Sequence, residues 1–401
     1  MLILILLDSY KKRDNIMKFL EQIISCNNGL SNVNWIRDNK FNFHYVNKNE
    51  ELFSGLTIGD IIFHMNYLKK KYPKINIPVW FEITNNELKI ADKLTYILME
   101  CLCYYYLNYE NRNIRIFWEP EQTILTDGVR KSPLIHLNKY FSRKQFSQKF
   151  LSAESDTHYR KVYRLSDKEE NPFYQSIIQT ELDLFLKKMD IKQESSEKIS
   201  EICAELIGNT FEHAKSDCLI DIDLTDSHGK EEKGVVVDGE FKGVNIAIVN
   251  FSDKLLFEDI KHKLNSEELT GEKYKKIMDA YKKHTNFFDD DYPEDFFYYL
   301  AVTQLGISGR KQIQDVGGTG LYVLLQSLIE DSDLSNCYVL SGKHIIIFND
   351  DYLFENEEQW MCYNEEKNFV DFPPNKNIIG GCPIFFPGTA YNLNFVIEVE
   401  R

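Results

Sequence analysis

The chain has 401 residues, 43% hydrophobic and 27% charged, a globular composition that excludes a largely disordered protein. At about 150 residues per domain, this length predicts two or three domains. The 62 Asp and Glu residues outnumber the 47 Lys and Arg residues, and the net charge of −15 argues against a general nucleic-acid-binding surface.

The opening apolar run is too short for a leader or a membrane helix. Residues 2–7 precede Asp8 and carry no basic segment or cleavage site, so we interpret them as a buried strand. No later stretch approaches the ~20 apolar residues of a membrane span. The eight cysteines form no C-x-x-C pair, which is typical of buried thiols in a reducing cytosol. We therefore expect a cytoplasmic protein.

Residues 1–120 are predicted to form an N-terminal α/β domain. Its predicted elements are strands at 2–7, 78–84 and 114–119 and a helix at 91–107 with one apolar and aromatic side. Residues 121–174 are polar and aperiodic, and we interpret them as a connector. Within it, residues 166–173 are the best linker segment.

Residues 175–401 are predicted to form a second α/β domain. In chain order its predicted elements are helices at 173–188 and 195–215, strands at 218–224, 234–237 and 244–251, helical pieces over 256–305, a helix at 321–329, and strands at 336–340, 344–348 and 391–399. Because several strands follow one another directly, the pattern predicts an α/β sandwich. Its mixed, mainly antiparallel sheet is covered by helices.

The helix at 195–215 carries a polar row along the edge of its apolar stripe. Glu205, Asn209 and His213 recur at spacings of four residues, so a regular helix places them on one face. A carboxamide oxygen suits Mg²⁺, and a carboxylate one turn earlier suits a water-activating base. The alternative is a polar helix edge that packs against a neighbouring loop.

A glycine cluster precedes the helix at 321–329. Gly317, Gly318, Thr319 and Gly320 let the backbone approach an anion, and the helix N-terminus that follows favours phosphate. The spacing matches neither a Walker loop nor a dinucleotide-binding fingerprint. The alternative is a plain turn.

Two further segments each end or begin a strand. The apolar run at 245–255 ends in Asn250 and Asp253, and a turn at Gly388 and Thr389 is predicted to lead into the last strand. Each of these features alone is typical of ordinary strand boundaries.

Together, in this order, the four segments resemble the GHKL superfamily of ATP-binding domains, which includes gyrase B-type ATPases, Hsp90, histidine kinases, MutL and the anti-sigma serine kinases. The resemblance covers roughly residues 175–400. The run ELIGNTFEHA at 205–214 resembles the family's N-box, and GGTGL at 317–321 resembles its second glycine box. The run FPGT at 386–389 resembles the turn before the closing strand.

The resemblance implies a site for ATP and Mg²⁺. It implies that Asn209 ligates Mg²⁺, that Glu205 acts as general base and that His213 lies beside the site. The other implied contacts are Gly317, Gly318, Thr319 and Gly320 to the phosphates, Thr389 to the adenine, and Arg310 and Lys311 to the terminal phosphate. Residues 256–316 would form an enlarged lid.

The sequence departs from the family at the first glycine box. Asn250 stands where the family has an adenine-binding Asp, while Ser252 and Lys254 replace two glycines. An Asn oxygen still accepts a hydrogen bond from adenine but loses the charge assistance, worth about 1 kcal/mol. Asp253 is an alternative acceptor if the loop shifts.

The favoured function is an ATP-driven switch that hydrolyses ATP, forms a homodimer and acts on a protein partner through the N-terminal domain. By family analogy alone, such proteins are regulators or anti-phage defence components. The alternatives are a serine/threonine kinase of the anti-sigma type and a non-hydrolysing nucleotide-binding module. His136 and His158 lack the acidic neighbour of a phosphoacceptor, which argues against a histidine kinase.

A nuclease centre in the N-terminal domain is a further alternative. Glu87 and Lys89 form an acidic-x-Lys triplet after a predicted strand, with Asp60 as an earlier carboxylate. Two carboxylates and a lysine can hold Mg²⁺ and a water, although such a triplet is also common in turns.

Overall fold

The computed structural model describes residues 15–27, 35–37, 43–46, 52–73, 76–83, 89–118, 131–138, 142–232, 235–266, 271–307, 320–331, 337–349 and 351–399. The strand predicted at 2–7 lies outside these residues.

The first part of the chain forms a small sheet with helices. Its helices are α1 (Asn15–Cys26), α2 (Gly55–Lys71), α3 (Lys93–Asn108), α4 (Ile135–Asn138) and α5 (Arg143–Leu151). Its strands are β1 (Trp35–Arg37), β2 (Phe43–Val46), β3 (Leu52–Phe53), β4 (Val79–Ile83), β5 (Lys89–Ile90) and β6 (Ile114–Trp118). One sheet has the order β1-β2-β4-β6, parallel except for β1, and β3 pairs with β5. The strands predicted near 78–84 and 114–119 and the helix predicted near 91–107 are confirmed.

The second part is built on a larger sheet. Its helices are α6 (Leu165–Glu170), α7 (Tyr174–Lys187), α8 (Gln193–Asn209), α9 (Glu258–Asn265), α10 (Glu272–His284), α11 (Glu294–Ala301) and α12 (Gly320–Asp331). Its strands are β7 (Ser152–Glu154), β8 (His158–Tyr163), β9 (Cys218–Glu232), β10 (Val235–Asn250), β11 (Tyr338–Ile347), β12 (Phe354–Glu355), β13 (Met361–Cys362) and β14 (Ile379–Glu398). The six-stranded sheet has the order β11-β14-β10-β9-β8-β7, and each neighbouring pair is antiparallel. The predicted α/β class with an antiparallel sheet is thus confirmed.

Both faces of the six-stranded sheet are covered. Because side chains alternate along a strand, Ile220 and Ile222 of β9 face the core formed with α7, α8 and α12. Leu219 of β9 and Val249 of β10 face the opposite way and join the core of α1, α2 and α3. The early helices therefore pack on the back of the sheet, away from α8.

Residues 152–170 differ from the expected polar connector. They supply β7 and β8 at one edge of the sheet, and the expected linker forms the short helix α6. The strand β8 could not be recognised from its composition. Buried positions of a strand are usually apolar, whereas the buried His158 and Arg160 of β8 form ion pairs.

The turn predicted at Gly388 and Thr389 is wrong. Both residues lie inside β14, a strand that pairs with β10 on one side and β11 on the other. A register irregularity between Ser341 and Gly342 of β11 accommodates the segment. Gly388 lies in this bulge, between Phe386 and Thr389, whose partners on β11 are consecutive residues, so the flanking ladders keep within the strand a glycine that in the sequence alone indicates a turn.

Helix α3 is buried on all sides, whereas the sequence predicts burial on one side only. It begins where the Asp92 carboxylate accepts a hydrogen bond from the Thr95 backbone N–H at 2.7 Å. It then lies between the six-stranded sheet and the early elements, so polar residues on it are enclosed as well. A helix in such a position needs its charged side chains paired.

An ionic layer meets that need between α3 and the sheet. Lys93 Nζ lies 2.7 Å from carboxylate oxygens of both Asp221 and Asp223. Arg160 pairs with Glu100 of α3 and lies 3.3 Å from Asp221. Burial opposes ionisation of Asp221, yet the neighbouring cations hold the pKa of its carboxyl well below its usual range.

The thiols and the expected lid aromatics are mostly enclosed. All eight cysteines are free; Cys26 is exposed, Cys382 is half-buried and the other six are buried, in keeping with the prediction of buried thiols. The aromatic run of α11, within the segment predicted to form the lid, is fully buried.

Candidate functional site

Helix α8 presents Glu205 and Asn209 at its half-buried edge, while its apolar stripe covers the sheet. Beyond Asn209 the helix widens into a π turn, Thr210–Ala214, where the Thr210 hydroxyl donates to the Leu206 carbonyl at 3.1 Å. π turns within α-helices frequently occur at functional sites. The wider turn breaks the four-residue spacing, so His213 is displaced from the row that a regular helix predicts.

Glu205 is held by a neighbouring helix. Nε2 of Gln175, in the first turn of α7, donates to Oε2 of Glu205 at 3.2 Å. Gly208 makes room for this contact, because a Cβ at position 208 would lie 2.9 Å from that same nitrogen. Within the described residues no side chain bonds Oε1 of Glu205, which leaves that oxygen to solvent or to a ligand.

Asn250 and Thr389 meet on adjacent central strands, on the sheet face that α8 covers. The Asn250 side-chain oxygen accepts from the Thr389 backbone N–H at 2.8 Å, and the Ser252 hydroxyl lies 3.1 Å from the same oxygen. A backbone N–H can only donate, so this contact identifies the side-chain oxygen, and the Asn250 amide nitrogen remains as a donor with no partner among the described residues. Gly388 allows the close approach, because a Cβ there would lie 2.3 Å from the Asn250 oxygen.

Lys254, just after β10, connects the end of α8 with the start of α9. Its ammonium donates to the His213 carbonyl at 3.2 Å and to the Asp259 carboxylate at 2.6 Å. The His213 ring lies 3.8 Å from the same carboxylate. The His213 imidazole and the Lys254 ammonium together lower the pKa of Asp259 from its ordinary value. The strand end after Asn250, the end of α8 and the start of α9 are thereby tied together.

The structure therefore brings together three of the predicted segments. Helix α12 contacts α8 and begins at Gly320, the last residue of the predicted glycine loop. Asp253 is exposed on the turn after β10. The remaining predicted residues lie outside the described part of the chain: Arg310, Lys311, Gly317, Gly318 and Thr319.

Three residues of this arrangement were missed by sequence reasoning: Gln175, Lys254 in its bridging role, and Asp259. The available signal for Gln175 was Gly208, because a glycine inside an amphipathic helix indicates close approach by another group. Nothing local to the sequence indicates the partners of Lys254, since they lie on two other elements.

Two predictions concern a metal ion: the Mg²⁺ site at Asn209 and the nuclease centre. Across the described residues, no three His, Cys, Asp or Glu side chains are grouped as metal ligands. Asp60 lies on α2 with its carboxylate 3.4 Å from the His64 ring, whereas Glu87 lies outside the described residues. The nuclease alternative stays a prediction.

The sequence matches no protein-family model, and no significant similarity links the chain to a curated protein or to a solved structure. Of the helices that the structure describes, none is both long and apolar enough to cross a membrane.

Proposed function

We propose that the chain binds Mg²⁺ and ATP in a GHKL-type site and acts as an ATP-driven conformational switch. The observation that carries the proposal is the convergence of three segments far apart in sequence. The Glu205 and Asn209 row, the strand end at Asn250 and the closing strand at Thr389 share one face and one end of the sheet. They are three of the four segments that carry the resemblance to the GHKL superfamily.

The donor set suits Mg²⁺. This ion keeps several waters and is held through one or two protein oxygens plus the substrate phosphates, so a dedicated cluster of protein ligands is not required. Asn209 supplies the carboxamide oxygen, and bound Mg²⁺ would neutralise phosphate charge. Glu205 orients or deprotonates the attacking water through Oε1, the oxygen that Gln175 does not occupy.

Recognition of the base falls to Asn250 and Thr389. The Asn250 oxygen, expected to accept from the adenine amino group, already accepts from Thr389. The Asn250 amide nitrogen, a donor with no partner among the described residues, suits a ring nitrogen that accepts, which adenine also offers. In Asn250→Asp a carboxylate oxygen would replace this donor and face the lone pair of the ring nitrogen, so ATP should bind about fivefold more weakly.

The output is proposed to pass through the sheet to the early helices. Helices α1 to α3 pack on the back of the strands whose front carries Asn250 and Thr389. On the front, Lys254 and Asp259 join the site to α9, the first helix of the proposed lid at 256–316. Packed contacts thus connect the proposed nucleotide site to the early helices on one side and to α9 on the other. A homodimer and a protein partner of the N-terminal part belong to the same proposal.

Calorimetry with Mg²⁺ and ATP, ADP or GTP tests binding, and phosphate release tests turnover. Asn209→Ala is expected to abolish ATP binding, whereas Glu205→Ala keeps the Kd and stops phosphate release. The matched controls are Glu201→Ala, an exposed glutamate one turn earlier on α8, and Asn113→Ala, an exposed asparagine before β6. Both should behave as wild type.

Absence of binding at millimolar nucleotide would overturn the proposal. Binding without turnover would favour the interaction-module alternative. Transfer of labelled phosphate to a serine or threonine of a partner would favour the kinase alternative.

A further inference from the structure

We propose that Gln175 is the positioning residue for Glu205, and that Gly208 is the glycine that admits it. The inference rests on the proposed function, because it assigns Glu205 the role of activating a water for attack on the terminal phosphate. It adds a residue from a different helix, α7, to a site that the sequence places on α8 alone.

The contact between Gln175 and Glu205 involves only one of the two carboxylate oxygens. Gln175 donates through Nε2 to Oε2 of Glu205 at 3.2 Å, which is a hydrogen bond to a carboxylate. It fixes one of the two carboxylate oxygens and leaves Oε1 for the water. A glutamate on a helix edge has three rotatable side-chain bonds, so a partner that selects one rotamer shortens the search for the reactive geometry.

The local packing is arranged around the Gln175 side chain. A Cβ at Gly208 would lie 2.9 Å from Nε2, 3.0 Å from Cδ and 3.1 Å from Oε1 of Gln175. Glycine in a helix interior is unfavourable by about 1 kcal/mol relative to alanine, so its presence here is explained by the space it leaves. The backbone of α8 therefore carries a gap that the Gln175 amide fills.

Removal of the amide should affect turnover and not binding. In Gln175→Ala, kcat is expected to fall by about tenfold to a hundredfold, the range for loss of one hydrogen bond to a charged group. The KM and the Kd for ATP should stay unchanged, because the Gln175 side chain forms no hydrogen bond with Asn209, Asn250 or Thr389. The matched control is Gln193→Ala, an exposed glutamine on α8 that donates to Glu197 at 2.7 Å and should leave kcat unchanged.

Gly208→Ala tests the same contact from the other side. Alanine favours the helix over glycine, so the melting temperature should hold or rise. Its methyl group displaces the Gln175 amide, so kcat should still fall. In the Gln175→Ala background the space is vacant, and the double variant should have the same kcat as Gln175→Ala alone.

The outcomes separate the two proposals. Normal turnover in Gln175→Ala, with Glu205→Ala inactive, would overturn the positioning role and leave the ATPase proposal standing. A further fall in kcat when Gly208→Ala is added to Gln175→Ala would also overturn it, because the methyl group would then act by another route. If the wild-type protein releases no phosphate, or if Glu205→Ala releases it normally, the ATPase proposal fails and the positioning role fails with it.

Discussion

Replacement of Lys93 by methionine tests the buried ionic layer between α3 and the six-stranded sheet. Methionine keeps the length and apolar volume of the lysine stem and removes only the ammonium. Two carboxylates, of Asp221 and Asp223, then lose a partner that lies 2.7 Å from each of them. Asp221 keeps His158 at 2.9 Å and Arg160 at 3.3 Å, whereas Asp223 loses its cation.

The expected cost follows from burial. The Lys93 side chain is 5% exposed and both carboxylates are fully buried, so the variant leaves an uncompensated charge inside the protein. Such a change lowers the free energy of unfolding by about 3–5 kcal/mol. The pKa values agree in direction: burial opposes the charged form of Lys93, yet the two aspartates keep its pKa above the ordinary value.

The matched control is Lys69→Met on α2. Its ammonium also lies 2.7 Å from a carboxylate oxygen, that of Glu110, but the lysine side chain is 55% exposed. Because this ammonium is solvated and Arg112 stays 3.3 Å from the Glu110 carboxylate, the loss should be less than about 1 kcal/mol. The comparison therefore contrasts a buried lysine with an exposed one at the same distance from its carboxylate.

Urea unfolding followed by circular dichroism measures both variants. The double variant Lys93→Met with Asp223→Asn should recover at least half of the loss, because it removes one charge of each sign. A Lys93→Met variant no less stable than Lys69→Met would refute the reasoning, since the layer would then tolerate an unmatched carboxylate.

Two further predictions concern a buried histidine and a glycine of β14. Burial lowers the pKa of His284 from 6.5 to about 4. Between pH 6.5 and pH 4, therefore, this histidine is protonated in the unfolded chain and neutral in the folded protein. The contribution of His284 to the free energy of unfolding should therefore be fully present above about pH 6.5 and fall by about 3 kcal/mol towards pH 4. Urea midpoints across this range should show a smaller slope for His284→Gln, and equal slopes would contradict the assignment. Gly388→Ala should disrupt the bond between Asn250 and Thr389 and lower ATP affinity at least tenfold, because the new methyl group would lie 2.3 Å from the Asn250 oxygen. Calorimetry compares the ATP affinity of Gly388→Ala with that of the control Gly381→Ala, whose Cβ would meet nothing within 4 Å. Equal affinities of the two variants would count against the proposed base contact.

His284 illustrates a group that the sequence leaves open and the fold decides. Its Nε2 lies 2.8 Å from the Phe369 carbonyl, which can only accept, and its Nδ1 lies 2.7 Å from the Tyr292 hydroxyl. The carbonyl requires a proton on Nε2, and because burial lowers the pKa of the ring it is neutral near pH 7, so Nδ1 accepts from the Tyr292 hydroxyl. Phe369 is far from His284 in sequence, so no local pattern predicts the arrangement.

The sequence by itself determined the elements with strong periodicity and the order in which they occur. The apolar stripe of α8, the polar positions Glu205 and Asn209, and the alternation of β9 and β10 are local patterns, because they depend on helix and strand geometry alone. The α/β class and the antiparallel sheet follow from that order.

Only the tertiary structure decided which residues meet. The strand β8 was not recognisable from the sequence because Arg160 finds its partner Glu100 on α3. The expected turn at Gly388 is a bulge within β14, because the residues around it pair with β10 and β11. Gln175 reaches Glu205 only because α7 packs across Gly208. Each of these contacts joins elements that are separate in the chain. The free energy that fixes them comes from burial and pairing in the folded molecule, and neither leaves a periodic signal in the sequence.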